Sequence, residues 1–333
     1  MNDDHNQKVK VDNIIYSIDE ETQTACAIDI STYPSLFNIF IPRSIQYQSH
    51  EYIVTTLKWF ATRRTEQYTL NFAPDSEIKK IGHGIISGTS IVSLTIPPSV
   101  TIGEEWCDST SNLIKVIIMP NNPRYKNYDE KMVIGKSDIE SDEYDVLVFV
   151  SRDVQSVTIP SNIKIIGPNS FDNSQIESIS ISPHITRICT HAFNFCTKLK
   201  SVEIPPDSEL QVIEDYAFIE TKIESIFIPP HLTELGKGAF FDCESNRRVE
   251  IPPNSELRKI GESAFSDNPI ESLCLPSTVS ILEEGCFSNL PTLTKLTLMP
   301  NNPHFMYIDN KYLVGKSVEN SDEYDVLLFV RRD

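Results

Sequence analysis

Apolar and polar residues alternate along short segments that return every 22 to 24 residues. In one such segment Leu199, Val202 and Ile204 are apolar, whereas Ser201 and Glu203 are polar. A period of two indicates a half-buried β-strand, because successive side chains of a strand point to opposite faces. Prolines follow directly and end the predicted strand, since proline lacks the backbone donor that a central strand needs.

The last apolar residue of each segment marks the period of the repeat. These residues are Phe72, Ile96, Ile118, Ile159, Ile181, Ile204, Ile228, Ile251, Leu275 and Leu298. Within one unit the pattern is roughly L-x-S-I-x-I-P-P-x-x-x-x-x-I-G-x-x-A-F-x-x-C. A fixed period of this length predicts a solenoid, in which each coil is covered by its neighbours and a single coil is unstable.

A phenylalanine recurs at one position of most units. The column consists of Phe171, Phe193, Phe218, Phe240, Phe265 and Phe287, with Ile86 and Cys107 in the two early units. A ring that returns once per coil at one register predicts a stacked ladder in the core.

A longer insertion interrupts the repeat once and then returns. The segment 120–153 reappears at 300–333 with a constant offset, and each copy has two apolar runs around an acidic turn. This pattern predicts a β-hairpin. An earlier unit ends at Ile41, and the helix-like segment 51–64 that follows it predicts an N-terminal cap.

The predicted organisation therefore has five segments. They are an N-terminal β-hairpin and helical cap (1–65), repeats (66–119), an inserted β-hairpin (120–153), further repeats (154–299) and a second β-hairpin (300–333). The second β-hairpin either caps the solenoid or is followed by more repeats of a longer array.

These motifs resemble the BspA-like leucine-rich repeat family, a treponemal-type repeat of bacteria and protists. The I-P strand end, the I-G turn and the A-F pair occur in SVEIPPDSELQVIEDYAF, SLTIPPSVTIGEEW and VEIPPNSELRKIGESAF, and the resemblance covers roughly 70–333. It implies an α/β repeat fold: a right-handed leucine-rich-repeat solenoid with a parallel sheet on one face, short helices or turns on the other, and two inserted β-hairpins. It also implies a binding role, often adhesion at the cell surface to host or extracellular-matrix proteins.

Charge and hydropathy limit the classes of partner. The formal net charge of −18 opposes binding to nucleic acid and to anionic lipid. We predict no membrane span, because no segment approaches 18 consecutive apolar residues. The sequence shows neither a secretory signal nor an anchor, so cell-surface localisation rests on the resemblance and a cytoplasmic location is the alternative.

We predict no enzymatic activity and no cofactor. The chain lacks the G-x-S-x-G, H-E-x-x-H, Walker and Rossmann signatures. His184 and His231 share one register, but they lie two coils apart, roughly 9–10 Å, which is too far to share a metal ion. We expect both to be exposed turn residues.

We also predict no metal site. The seven cysteines stand at repeat registers without a C-x-x-C knuckle, which favours thiols in the core over zinc ligands. The acidic turns at 138–145 and 319–325 lack the alternating ligands and central glycine of a calcium-binding EF-hand. They are interpreted as solvated turns.

The outward positions of the predicted sheet are the candidate binding surface, since the strand face of a solenoid offers an extended area to a partner. The candidate partner-binding residues are Ser178, Ser201, Glu203, Ser225, Phe227, Arg248 and Glu250. Phe227 is an outward aromatic among charged residues and resembles an interface anchor. The alternative is that Phe227 only packs against its neighbours on a solvated sheet.

The sequence thus predicts a non-enzymatic solenoid that binds a protein ligand, and the family resemblance suggests a surface adhesin or antigen. An intracellular scaffold or regulator with the same fold is the alternative. End-to-end self-association is a further hypothesis, because an uncovered strand edge invites pairing.

Overall fold

The computed structural model describes residues 7–30, 37–58, 67–82, 84–309, 311–316, 323–324 and 326–330. The chain divides into two compact units, 1–153 and 154–333. The described residues form β-strands and turns and contain no helix.

The strands of the first unit are β1 (Gln7–Val11), β2 (Ile14–Asp19), β3 (Thr24–Ile30), β4 (Phe37–Ile41), β5 (Ser44–Tyr47), β6 (His50–Leu57), β7 (Tyr68–Phe72), β8 (Lys80–Ile81), β9 (Ile91–Ile96), β10 (Thr101–Ile102), β11 (Lys115–Ile118), β12 (Tyr125–Asn127), β13 (Met132–Gly135) and β14 (Val146–Val150). Strands β4, β7, β9 and β11 form a parallel sheet in the order β11-β9-β7-β4, and β8 pairs with β10 in parallel. A mixed sheet has the order β1-β2-β3-β6-β5.

The strands of the second unit are β15 (Ile165–Ile166), β16 (Ser178–Ser180), β17 (Arg187–Ile188), β18 (Ser201–Glu203), β19 (Val212–Ile213), β20 (Ser225–Phe227), β21 (Glu234–Leu235), β22 (Arg248–Glu250), β23 (Lys259–Ile260), β24 (Ser272–Leu275), β25 (Ile281–Leu282), β26 (Lys295–Leu298), β27 (Phe305–Ile308), β28 (Tyr312–Gly315) and β29 (Val326–Val330). The even-numbered strands from β16 to β26 form a six-stranded parallel sheet. The outward side of this sheet is here called the strand face. The odd-numbered strands from β15 to β25 pair successively in parallel on the other side of the coils. Each unit is therefore a β-solenoid whose coils are joined by parallel ladders.

The predicted phenylalanine ladder is present in the second unit. Centroid distances between successive rings from Phe171 to Phe287 are 4.6, 4.8, 5.1, 5.6 and 6.5 Å, with interplanar angles of 13° or less. The first spacings match the distance between neighbouring strands, which shows that the coil repeat sets the ring spacing. In the first unit Ile86 and Cys107 are fully buried.

Of the short helices or turns expected opposite the sheet, the described residues form turns and no helix, so the α/β class is wrong and the solenoid consists of β-strands and turns. An α-helix needs each N–H for the carbonyl four residues earlier. Here the Phe193 N–H donates to Ala217 O of the next coil at 2.7 Å, and the Phe218 N–H donates to Ala239 O at 2.8 Å. His191 and Phe195 have φ of 57° and 52°, so left-handed residues flank the Ala–Phe pair and stop any right-handed run.

The helix-like segment 51–64 is also corrected, because β6 (His50–Leu57) occupies its first part. Residues 59–66 lie outside the described ranges. In β6 the side chains of Tyr52 and Val54 are buried and that of Ile53 between them is less so, which is the alternation of a strand.

Both copies of the insertion contain the predicted antiparallel pair. β13 pairs with β14, and β28 pairs with β29, each with one irregularity of register. A third antiparallel strand, which the sequence does not predict, pairs with this hairpin in each copy: β12 pairs with β13, and β27 pairs with β28.

Candidate binding face

The strand face carries the outward residues in two rows. The first row is Ser178, Ser201, Ser225, Arg248, Ser272 and Lys295, and the second is Ser180, Glu203, Phe227, Glu250, Cys274 and Thr297. Between the rows the inward side chains of the six strands are all buried. The structure thus places all seven candidate residues on the outward side of one sheet.

Phe227 is half-buried, whereas the other six candidates are exposed. It pairs with Glu250 on the next strand, and the Arg248 Nη2 atom lies 3.0 Å from Glu250 Oε2. Arg248 and Glu250 are 74% and 57% exposed, so this ion pair contributes little to stability and can rearrange when a partner binds. The aromatic ring therefore has an accessible edge beside an adaptable charged pair.

Strand pairing across the face is uneven. β16/β18 and β20/β22 pair through three residues and β24/β26 through four, but β18/β20 and β22/β24 pair through one residue each. The weak junctions coincide with the longer steps of the repeat, from Ile204 to Ile228 and from Ile251 to Leu275, and the other three junctions follow steps that are one residue shorter. An extra residue in the coil thus separates the ends of two neighbouring strands.

A cleft lies over β22, β24 and β26 and includes the second weak junction. Its volume is about 250 Å³. The outward side chains that line it are Arg248, Glu250, Ser272, Cys274, Lys295 and Thr297. The cleft is large enough for one side chain of a partner and offers cations, hydroxyls and one carboxylate. The alternation of polar and apolar residues does not predict this cleft, although the longer step of the repeat is a visible signal at one of its junctions.

A column of charges with alternating sign borders the strand face. The column is Glu177, Lys200, Glu224, Arg247 and Glu271, one residue per coil. Backbone hydrogen bonds join successive members, as from Lys200 N to Glu177 O at 2.9 Å, and Arg247 lies 3.7 Å from Glu271. The alternation keeps this border close to neutral in a strongly acidic chain.

The opposite sheet uses its outward side chains differently. Lys259 Nζ lies 2.9 Å from Glu234 Oε1 and 3.2 Å from Glu283 Oε1, which links three coils. The hydrogen bond to Glu234 is the main cause that raises the pKa of Lys259, and Glu283 adds to it. These charges bind one another, so the strand face is the side with more side chains available to a partner.

The two histidines are exposed, as predicted. His184 Nδ1 lies 3.5 Å from Glu209 and His231 Nδ1 lies 3.0 Å from Glu256, in each case on the next coil. Both side chains are more than half exposed. Each histidine thus pairs with its own neighbour.

All seven cysteines are present as thiols, and five of them are buried: Cys107, Cys189, Cys196, Cys243 and Cys286. Cys26 and Cys274 are half-buried, so the prediction of core thiols holds for five. The Cys243 thiol donates to Phe218 O at 3.2 Å, and burial raises its pKa to about 12. Such thiols stay protonated and act as small donors between coils.

The first acidic turn uses its carboxylates internally. Asp145 accepts hydrogen bonds from the Ser137 N–H at 2.9 Å and the Ser137 hydroxyl at 2.7 Å. Of the second turn, at 319–325, only 323–324 are described. Among the described residues no three His, Cys, Asp or Glu side chains are placed to hold a metal ion. Within the same ranges no helix has the length and hydropathy to cross a bilayer.

Comparisons with known structures find leucine-rich repeat proteins. The pneumococcal vaccine antigen PcpA is 14% identical, with a TM-score of 0.51 over 89% of this chain and 94% of that chain. A leucine-rich cell surface protein from Faecalibacterium prausnitzii is 16% identical, with a TM-score of 0.44 over 89% and 95%. A leucine-rich repeat protein from Eubacterium ventriosum is 14% identical, with a TM-score of 0.49 over 86% and 83%. At these identities the likeness concerns the fold alone.

No curated protein matches the chain. A family model described as "BspA type Leucine rich repeat region (6 copies)" matches residues 54–132, 148–244 and 211–320. Together these matches span most of the chain and include every strand of the strand face. The chain therefore belongs to the BspA-type leucine-rich repeat family.

Proposed function

We propose that this chain is a non-enzymatic protein-binding solenoid that engages a protein partner across the strand face. The observation that carries the proposal is the placement of the seven candidate residues in two rows on one sheet. Parallel ladders on both sides of the coils fix these rows, so little conformational entropy is lost when a partner binds.

The chemistry of the face suggests how a partner is held. Ser178, Ser201 and Ser225 form a row of small hydroxyls that lets a partner approach the backbone closely. Phe227 supplies apolar contact next to this row. The cleft over β22, β24 and β26 then accepts one partner side chain beside Arg248, and buried contacts of this kind dominate interface energies.

Adhesion at the cell surface is the more specific proposal, and it rests on the family resemblance. The description of PcpA as a vaccine antigen belongs to that protein and agrees with an exposed role here. An extracellular-matrix or host protein is then the expected ligand. An intracellular scaffold remains the alternative. Right-handed winding of the coils and end-to-end self-association also stay predictions.

Photocrosslinking tests the strand face directly. A photoreactive phenylalanine at position 227 should capture a partner that the same residue at position 234, on the opposite sheet, does not. With the partner purified, Phe227→Ala should weaken binding at least tenfold, whereas Glu234→Ala should leave it unchanged, because alanine substitution at an interface anchor typically has an effect of this size. Equal affinity of wild type and Phe227→Ala would exclude the strand face.

Staining of intact cells separates the two locations. An antibody against 70–333 should label unpermeabilised cells if the chain is displayed at the surface. Labelling only after permeabilisation would contradict the adhesin and direct the search to internal partners.

A further inference from the structure

A cleft in the first unit lies where the coils of β8 and β10 meet the start of the inserted sheet at β12. Its volume is about 760 Å³. Its lining includes two cations, Lys80 of β8 and Arg124, which directly precedes β12. The chain as a whole carries a net charge of −18. A concave surface with two cations on such a chain favours an anion locally, because a cleft focuses the field of its own charges.

The second unit has the same arrangement of strands, but there the lysine is neutralised. Lys80 pairs across β8/β10 as Lys259 pairs across β23/β25, and each is followed by Ile-Gly. Lys259 lies 2.9 Å from Glu234 and 3.2 Å from Glu283. The residue at the register of Glu283 is Gly103 in the first unit, since each directly follows the paired strand. In the described part of the chain Lys80 has no carboxylate at ion-pair distance.

The side chain of Lys80 lies over Gly103. A Cβ built on Gly103 would lie 2.8 Å from Lys80 Cε. The glycine thus removes the carboxylate that holds Lys259 in the second unit, and it also leaves room for the lysine stem. The ammonium group is therefore available to a ligand in the cleft.

Two further lining residues differ between the units in the same direction. Arg124 and Tyr125 correspond to His304 and Phe305 in the repeated sequence. Arg124 is a permanent cation with a planar fork of N–H donors, and Tyr125 has a hydroxyl group that phenylalanine lacks. This hydroxyl accepts a hydrogen bond from the Ile102 N–H at 3.2 Å, and its own hydrogen makes only a long contact of 3.5 Å with Ile102 O. That hydrogen can turn to a ligand oxygen.

The rest of the lining indicates what else the ligand carries. Glu104 and Glu105 also line the cleft, and carboxylates accept hydrogen bonds from hydroxyl groups. Tyr125, the aromatic residue of the described lining, is 8% exposed and offers no ring face. A nucleobase would need such a face to stack on. The lining therefore fits a molecule that combines an anionic group with several hydroxyl groups.

We propose that this cleft binds a sugar that carries a sulfate or phosphate ester. The ester oxygens accept hydrogen bonds from Lys80, Arg124 and the Tyr125 hydroxyl, and bonds from charged donors to such oxygens are the strong ones. The sugar hydroxyls donate to Glu104 and Glu105. This site belongs to the first unit and is separate from the strand face of the second.

Isothermal titration calorimetry of the full chain tests the proposal with small probes. These are glucose 6-sulfate, glucose 6-phosphate, glucose and the two inorganic anions, and at least one ester should bind about tenfold more tightly than glucose and than its own inorganic anion. The affinity for that ester should fall as the ionic strength rises, because added salt screens the two cations.

Gly103 offers a matched pair of variants. Gly103→Glu introduces the carboxylate of the second unit beside Lys80 and should weaken binding of the ester at least about tenfold. Gly103→Ala adds only the Cβ, whose nearest neighbour is the flexible end of Lys80, and should have a much smaller effect. Lys80→Ala should weaken binding like Gly103→Glu, whereas Lys259→Ala, the corresponding change in the second unit, should leave it unchanged.

Three outcomes would overturn the proposal. The first is that neither ester binds at concentrations up to about 10 mM at low ionic strength. The second is that glucose or the inorganic anion binds as tightly as the ester. The third is that Gly103→Glu and Lys80→Ala both keep the affinity of wild type while circular dichroism shows them to be folded. The strand-face proposal is tested separately, since Phe227→Ala should not alter the affinity for either ester.

Discussion

Replacing Asn246 with leucine should stabilise the second unit. Asn246 occupies a column of the core in which the neighbouring coils carry apolar residues. That column is Ile176, Leu199, Ile223, Asn246, Ile270 and Leu293. Asn246 is fully buried, and neither its Nδ2 nor its Oδ1 atom has a hydrogen-bond partner. A polar amide therefore lies in an apolar environment without compensation.

The expected gain follows from two contributions. A buried amide without hydrogen bonds costs about 1–3 kcal/mol by mutational data. Leucine has the same branching as asparagine, and burial of its two methyl groups contributes about 1.6 kcal/mol. Local crowding offsets about 1 kcal/mol of this. Asn246→Leu should thus raise the free energy of unfolding by about 2–4 kcal/mol.

Urea denaturation followed by circular dichroism measures this difference. The reciprocal variant Leu199→Asn is the matched control and should destabilise the chain by a similar or larger amount. If Leu199→Asn destabilises as expected but Asn246→Leu has no effect or also destabilises, the amide of Asn246 makes compensating hydrogen bonds in solution. The assignment of Asn246 as an uncompensated core residue would then be wrong.

Three further variants test other parts of the fold by the same denaturation assay. Phe218→Ala should lower the free energy of unfolding by about 3–5 kcal/mol, whereas Phe287→Ala should lower it less, because Phe287 is half-buried and more widely spaced from its neighbour. Equal losses would contradict a stack whose rings are less tightly packed at Phe287. Gly261→Ala should destabilise the chain, because an added Cβ would lie 2.6 Å from the backbone carbonyl carbon of Gly236. Gly82→Ala is the control at the same register and should be tolerated, because its added Cβ would lie 3.6 Å from the nearest atom. Equal effects of the two variants would refute the close approach of the coils at Gly261. Burial and the neighbouring Glu244 raise the pKa of Asp242 above its ordinary value of 3.8. The charged carboxylate therefore destabilises the folded chain, and this loss of stability disappears as the pH falls through the raised pKa. Asp242→Asn, which suits the φ of 54° at this position, should therefore stabilise the chain by a few tenths of a kcal/mol at pH 7 and flatten its pH dependence in the acidic range; an unchanged profile would refute this.

The sequence predicts those features that depend on side-chain periodicity. Alternation around Val202 placed Ser201 and Glu203 outward, and the column from Phe171 to Phe287 predicted the stack. Both follow from one register repeated coil after coil. The order of strands in each parallel ladder follows from the same repeat, because each coil can cover only its neighbours.

The sequence could not predict where the backbone donors go. The residues around Phe193 are compatible with a short helix, yet the Phe193 N–H donates to Ala217 O of the next coil. This choice depends on a coil that is distant along the chain, and it leaves no mark on local periodicity. In contrast, the cleft over β22, β24 and β26 and the unpaired amide of Asn246 both have a signal in the sequence. The signals are the longer step of the repeat and the apolar column that Asn246 interrupts.

The cleft on the strand face includes a place where the repeat is irregular. On the strand face, β22 and β24 pair through one residue where the step of the repeat is longer, whereas β20 and β22 pair through three. The cleft over β22, β24 and β26 includes the weaker junction. Successive coils stabilise one another through their ladders. A ligand that binds the strand face only in the folded state should also stabilise the coils on which it docks.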